Sequence, residues 1–105
     1  MVSTMKTSFR SRVKARLEKY LELDKSGIRK YLLKAALSLR KFTIDKIHEL
    51  LSQRFKVTRH VIASMVGYIY SNLGILRLHK KDYKSPTEYS LKVEYHDLVE
   101  AVITS

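Results

Sequence analysis

The stretch FTIDKIHELLSQRFKVTRHVIASMVGYIYSNLGIL, residues 42–76, decides the fold. Thr43 is a good N-cap, and Ile44, Ile47, Leu50 and Leu51 follow it at helical spacing, so a helix is expected over about 44–54. Asp45 falls in its first turn, where a carboxylate suits the helix dipole. Arg54, Phe55, Lys56 and Val57 form a short connection, and Thr58 caps the next helix, over about 59–73. Its stripe is Val61, Ile62, Met65, Val66, Ile69 and Leu73, and Asn72 and Gly74 are natural terminators.

On the N-terminal side, Ile28, Leu32, Ala35, Ala36 and Leu39 predict a helix over about 28–40. Leu33 and Leu37 widen its stripe, so it should meet neighbours on two sides. Ser26 and Gly27 separate it from an amphipathic helix over about 9–23, whose stripe is Phe9, Val13, Leu17, Tyr20 and Leu21. Residues 1–8 show no period and are expected to be frayed. Beyond Gly74 the period changes. Ile75, Leu76 and Leu78 lead into a polar, basic stretch, 79–87, that contains the chain's one proline, Pro86. Tyr89, Leu91, Val93 and Tyr95 then alternate with Glu88, Ser90, Lys92 and Glu94, the period of a strand with one buried face. Two strands around a loop of about ten residues make a long-looped hairpin. A short last helix, His96 to Thr104, carries Leu98, Val99, Val102 and Ile103.

With 105 residues, the chain has room for one core; a basic N-terminal segment and helix, 1–27, precedes the remainder, 28–105. Three glycines and one proline argue against a linker-rich chain, and 45% hydrophobic residues suffice for a packed core. The absence of cysteine excludes a disulfide framework, a thiolate metal site and a cysteine nucleophile. No apolar run is long enough to span a membrane, and no apolar region follows the basic start as in a secretory signal. A cytoplasmic, nucleoid-associated protein is therefore expected.

The net charge of +11 attracts polyanions. Residues 1–41 hold twelve of the 21 basic residues and only three acids. A second basic cluster runs from Arg77 through His79, Lys80 and Lys81 to Lys84, interrupted by one acid, Asp82.

Helix, helix, tight turn, helix and hairpin, over about 28–95, resembles the winged helix-turn-helix superfamily. The resemblance implies a mainly α protein with a small β-hairpin, an extra N-terminal helix and a short C-terminal one. It further implies a recognition helix, about 59–73, in the DNA major groove and a wing, about 77–88, on the backbone. The segment from Phe42 to Phe55, with Val57, Thr58 and Arg59 opening the next helix, is similar to the DNA-binding half of ferric-uptake-type regulators. The step Asn72, Leu73, Gly74, Ile75, Leu76 looks like the entry to the wing of many such regulators. The metal-binding second half of the ferric-uptake family is absent, so metal sensing is not carried over. The chain also resembles small archaeal proteins of a domain family of unknown function.

On the helix 59–73, the face opposite the apolar stripe presents His60, Ser64, Gly67 and Ser71, with Arg59 and Ala63 at its edge. Small side chains let a helix sit deep in a groove; they equally suit packing against another helix, for instance in a dimer. In the groove reading Arg59 reaches a base or phosphate, and Ser64 and Ser71 hydrogen-bond bases or phosphates. Thr43 and Thr58, at the two helix starts, join them as candidate DNA contacts. Lys80, Lys81 and Lys84 fall at the wing tip, where lysines neutralise phosphates, and Tyr83 can lie on a sugar or bond a phosphate. Arg10, Arg12, Lys14 and Arg16 form a candidate second contact arm, although a lysine- and arginine-rich face also serves solubility alone. A basic amphipathic helix can lie on a membrane, but this one lacks Trp and has a burial site in the domain.

His48, His60, His79 and His96 are scattered without metal-ligand spacing, and a surface pairing of His48 with Asp45 or Glu49 is expected instead. No general acid–base pair, phosphate loop or nucleophile elbow is present, so no catalytic residue, metal or cofactor is expected. The expectation is a double-stranded DNA-binding homodimer that regulates transcription. Alternatives are an architectural protein of low specificity, an RNA binder, or a winged helix that binds protein.

Overall fold

A computed structural model describes residues 2–104, with side chains from residue 9 onward. The order is α1 (Val2–Glu22), α2 (Ile28–Ser38), α3 (Ile44–Leu51), α4 (Arg59–Tyr68), β1 (Leu76–His79), β2 (Glu88–Leu91) and α5 (His96–Thr104). A π-helical turn, Ile69–Leu73, prolongs α4, and a 3₁₀ turn, Val93–Tyr95, precedes α5.

Local chemistry sets these boundaries. The Asp24 carboxylate accepts the backbone N–H groups of Gly27, Arg29 and Lys30, which satisfies donors at the start of α2 and places a negative charge there. Gly27 takes φ +86°, which only glycine adopts freely. Thr43 Oγ1 accepts from Lys46 N at 3.1 Å and Thr58 Oγ1 from Val61 N at 3.2 Å, so both predicted caps form. Gly74, at φ +69°, ends the π turn by donating to Ile69 O.

One apolar cluster joins every helix. Val13, Leu17 and Tyr20 of α1 meet Leu32, Leu33 and Ala36 of α2, Ile47 and Leu51 of α3, Ile62 and Val66 of α4, and Leu98, Val99, Val102 and Ile103 of α5. The widened stripe of α2 has the neighbours it predicts: α2 packs on α3, α5 and α1. β1 and β2 pair antiparallel from Leu76↔Leu91 to His79↔Glu88. Phe42, just before α3, exchanges both backbone hydrogen bonds with Tyr89 at 2.8 and 2.9 Å, so it takes a third place beside β2. Two helices, a turn, a third helix and this hairpin constitute a winged-helix fold, mainly α.

Several expectations need correction. The α1 backbone is helical from Val2, not frayed to residue 8, and Phe9 is 59% exposed instead of lying on the buried stripe. α2 stops at Ser38 and α3 at Leu51, short of 40 and 54. Val61 is 44% exposed, because the buried face of α4 centres on Ile62, Val66, Ile69 and Leu73. The second strand stops at Leu91. Beyond the Leu76↔Leu91 pair, Lys92 N bonds Ile75 O and the chain turns through Tyr95 N→Lys92 O. Val93 is thereby 80% exposed, whereas Tyr95 is buried. The loop between the strands spans eight residues, 80–87.

Tyr20 stacks on Tyr68 at 5.6 Å, and the Arg29 guanidinium lies 4.5 Å from its ring on a bond to Tyr20 O. This ties α1 to α2 and to the outer edge of α4. Burial pushes the Tyr20 hydroxyl up to about 12, an effect that Arg29 partly opposes.

Candidate nucleic-acid interface

The outer face of α4 is open. His60, Ser64 and Ser71 are exposed, while Ile62, Val66, Ile69 and Leu73 on the opposite face are fully buried or nearly so. A Cβ added at Gly67 would meet no other part of the chain within 4 Å. His60 and Ser64 border an open cleft with Tyr20 and Leu23 of the α1 end and Arg29 of α2.

At one end of the face stands Arg59, whose Nε–H donates to Asp45 Oδ1 of α3. Asp45 thus serves an ion pair as well as the α3 dipole. His48 is not paired with Asp45 or Glu49: its Nε2 lies 2.9 Å from Val57 O, where it pins α3 to the connection before α4. Thr43 and Thr58 are occupied as caps, and each can still offer its hydroxyl proton outward.

At the other end lies the wing. Lys80, Lys81, Tyr83 and Lys84 are all exposed, Tyr83 to 84%. The loop is ordered by its one acid. Asp82 Oδ1 accepts from Lys84 N, Ser85 N and Ser85 Oγ, and these donors hold its carboxyl below the usual range, Ser85 N foremost. Lys80 Nζ lies 3.3 Å from Thr87 Oγ1, and Lys84 Nζ lies 5.9 Å from the Tyr83 ring centre. These are light contacts that leave both ammonium groups available.

Between α4 and the wing runs a groove of about 550 Å³ lined by Tyr70, Ser71, Arg77, His79 and Lys92. His79 Nε2 lies 2.8 Å from Ser90 Oγ. Arg77, His79 and Lys92 are candidate phosphate contacts that the sequence reading did not single out. The basic run 77–84 contained the first two, but only the packing of the hairpin beside the end of α4 places them with Ser71.

The N-terminal run is divided. Residues two apart on a helix lie about 200° apart, so Arg10, Arg12, Lys14 and Arg16 cannot share one face. Arg10 points to the C-terminal part, donating to Glu94 O at 2.9 Å and to Asp97 Oδ2 at 3.1 Å. Arg16 lines a different cleft, with Lys19, Arg29, Tyr68 and Asn72, along the far edge of α4. Arg12 and Lys14 are exposed. Arg10 is thus an internal link in this structure, and Arg16 adjoins the end of α4.

Among the described residues, no three His, Cys, Asp or Glu side chains come together as a metal site. No described helix is long and apolar enough to cross a membrane.

The backbone is similar to that of a mutant of the E. coli protein MarR, whose crystal structure was determined with operator DNA. The TM-score is 0.59 at 13% identity, over 98% of this chain and 69% of that one. At that identity the likeness concerns the fold. In sequence, the chain is 42% identical over 92 residues to an uncharacterized protein of Archaeoglobus fulgidus, covering 87% of this chain and 92% of the relative. Residues 17–99 match the family model described as Protein of unknown function (DUF2551), from the second half of α1 to the middle of α5. The matched region contains all of α2 to α4 and the wing, and the chain belongs to the DUF2551 family.

Proposed function

We propose that this protein binds double-stranded DNA as a homodimer and regulates transcription, with α4 in the major groove and the 80–87 loop on the adjacent backbone. One observation carries this reading: the small-residue face of α4 is open to solvent, with Arg59 at one end and, beside Ser71 at the other, the basic groove of Arg77, His79 and Lys92 that leads to the wing. A helix needs such a face to bring its backbone near base edges, and the +11 charge supplies the attraction to phosphate. The DNA-complexed MarR mutant with a similar fold supports the assignment. A cytoplasmic, nucleoid-associated location follows from the partner.

Thr43, Thr58, Arg59, His60, Ser64 and Ser71 act on the groove side of this interface; Lys80, Lys81, Tyr83 and Lys84 act on phosphate and sugar. Arg12, Lys14 and Arg16 add long-range attraction. A second copy of the chain is the partner that would cover exposed Phe9 and Val93, which adjoin the Arg10–Glu94 contact between α1 and the turn before α5.

Ser64→Glu tests the groove assignment. A carboxylate in the middle of the face would meet the phosphates at close range, so duplex affinity is expected to fall at least about tenfold, with Ser64→Ala within about threefold of the parent. The side chain is exposed, so both variants should fold as the parent does. Parent-like duplex binding by Ser64→Glu, measured by fluorescence anisotropy, would remove α4 from the groove.

A further inference from the structure

We propose that Asp45 is a positioning residue that fixes Arg59 for reading a guanine, an inference that rests on the groove assignment of α4. Arg59 donates through Nε to Asp45 Oδ1. A guanidinium held at Nε keeps its terminal Nη pair free, and that pair matches the O6 and N7 acceptors that guanine presents in the major groove. The two partners are fourteen residues apart, and each stands in the first turn of a capped helix: Asp45 behind Thr43, Arg59 behind Thr58. Both backbones are therefore fixed, and the bond restricts a side chain that would otherwise lose much rotamer freedom on binding.

The placement of the acid is the second argument. The chain has ten acidic residues against 21 basic ones, yet one of them lies 72% exposed beside the N-terminus of the proposed recognition helix. A carboxylate there opposes the approach of phosphate. The α3 dipole gives an acid at this position a small share of fold stability, but the ion pair itself adds little with side chains this exposed, 58% for Arg59. Orientation of Arg59 accounts for the pairing: the acid costs non-specific attraction and confers discrimination. His60 and Ser64 are too short and too few in donors to supply a bidentate contact of this kind.

The test is selection of bound sequences from a randomised duplex library by the parent, Asp45→Ala, Asp45→Asn and Arg59→Lys, followed by affinity measurement on selected duplexes. The parent is expected to select a guanine at one position of its site, with replacement of that base costing roughly 5- to 150-fold. Asp45→Ala should lower this preference to within about threefold while binding unselected duplex more tightly than the parent, because a negative charge has gone. Asp45→Asn keeps an acceptor for Nε–H and should keep most of the preference, whereas Arg59→Lys, with no fork, should lose it. Three results would overturn the proposal: no selected guanine, an unchanged preference in Asp45→Ala, or an equal shift on all sequences in Asp45→Ala and Asp45→Asn. Parent protein that binds no duplex of the library would overturn the groove assignment itself, and the proposal with it.

Discussion

Replacing Lys80, Lys81 and Lys84 together with alanine is expected to lower duplex affinity roughly 10²- to 10³-fold near 0.1 M salt and to flatten the log–log salt slope by about 2.7. The size follows from counterion release: each neutralised phosphate contributes about 0.9 to the slope and close to a factor of ten in affinity at that salt. The three lysines stand on a loop held by Asp82, which uses the backbone N–H groups of Lys84 and Ser85 and not the lysine side chains. Their own contacts, to Thr87 Oγ1 and to the Tyr83 ring, are light and exposed. The triple variant should therefore unfold within about 0.5 kcal/mol of the parent, and the loss would belong to binding. A salt slope equal to the parent's would show that the loop touches no phosphate.

Ile62→Ala is expected to destabilise the fold by about 2–5 kcal/mol, measured by urea or guanidinium unfolding. Ile62 is fully buried and lies on the inner face of α4 with Val66, Ile69 and Leu73. Truncation would leave a cavity where α4 meets α3 and the rest of the core. Against a total of about 5–15 kcal/mol for a domain of this size, that is a large share. Val61→Ala is the control, because its partly exposed side chain belongs to the outer edge of α4; it should cost well under half as much. Equal losses for Ile62→Ala and Val61→Ala would mean that α4 is rotated from the orientation that exposes Ser64.

Much of this orientation was legible in the sequence, because burial imposes a period. Leu32, Leu33 and Ala36, or Ile62, Val66, Ile69 and Leu73, recur at the spacing of one helix face and are buried. Capping is equally local: Thr43, Thr58, Gly27 and Gly74 mark boundaries through hydrogen bonds or positive φ at their own positions. Periodicity gives no sign that the α1 backbone is helical from Val2, and it puts Phe9 on a stripe from which the structure leaves it exposed. It also misleads where alternation outlasts its partner strand. Tyr89 to Tyr95 alternate throughout, but β1 has only four residues, so the chain leaves the sheet after Leu91 and Val93 turns to solvent.

The parts of the candidate site that were not legible are tertiary. The Phe42–Tyr89 bridge is a single pair without a repeating pattern, and His48–Val57 O depends on where a connecting segment passes. Arg59–Asp45 joins two helix starts whose approach only the fold determines. Arg77, His79 and Lys92 gather beside Ser71 because β1 packs against the Ile69–Leu73 turn. The lysines of the wing and the outer residues of α4, by contrast, could be named from the order of elements alone.

The most direct measurement of the central claim is the affinity of the parent for random duplex DNA of about 30 base pairs between 50 and 200 mM salt, with an RNA duplex of the same sequence as competitor. B-form DNA offers a major groove wide enough for α4, whereas the major groove of A-form RNA is deep and narrow. Binding to DNA that weakens at least about a hundredfold across this range, and that RNA displaces at least about tenfold less well than DNA, is the predicted result. No binding to DNA at the lowest salt, or displacement by RNA as effective as by DNA, would contradict it.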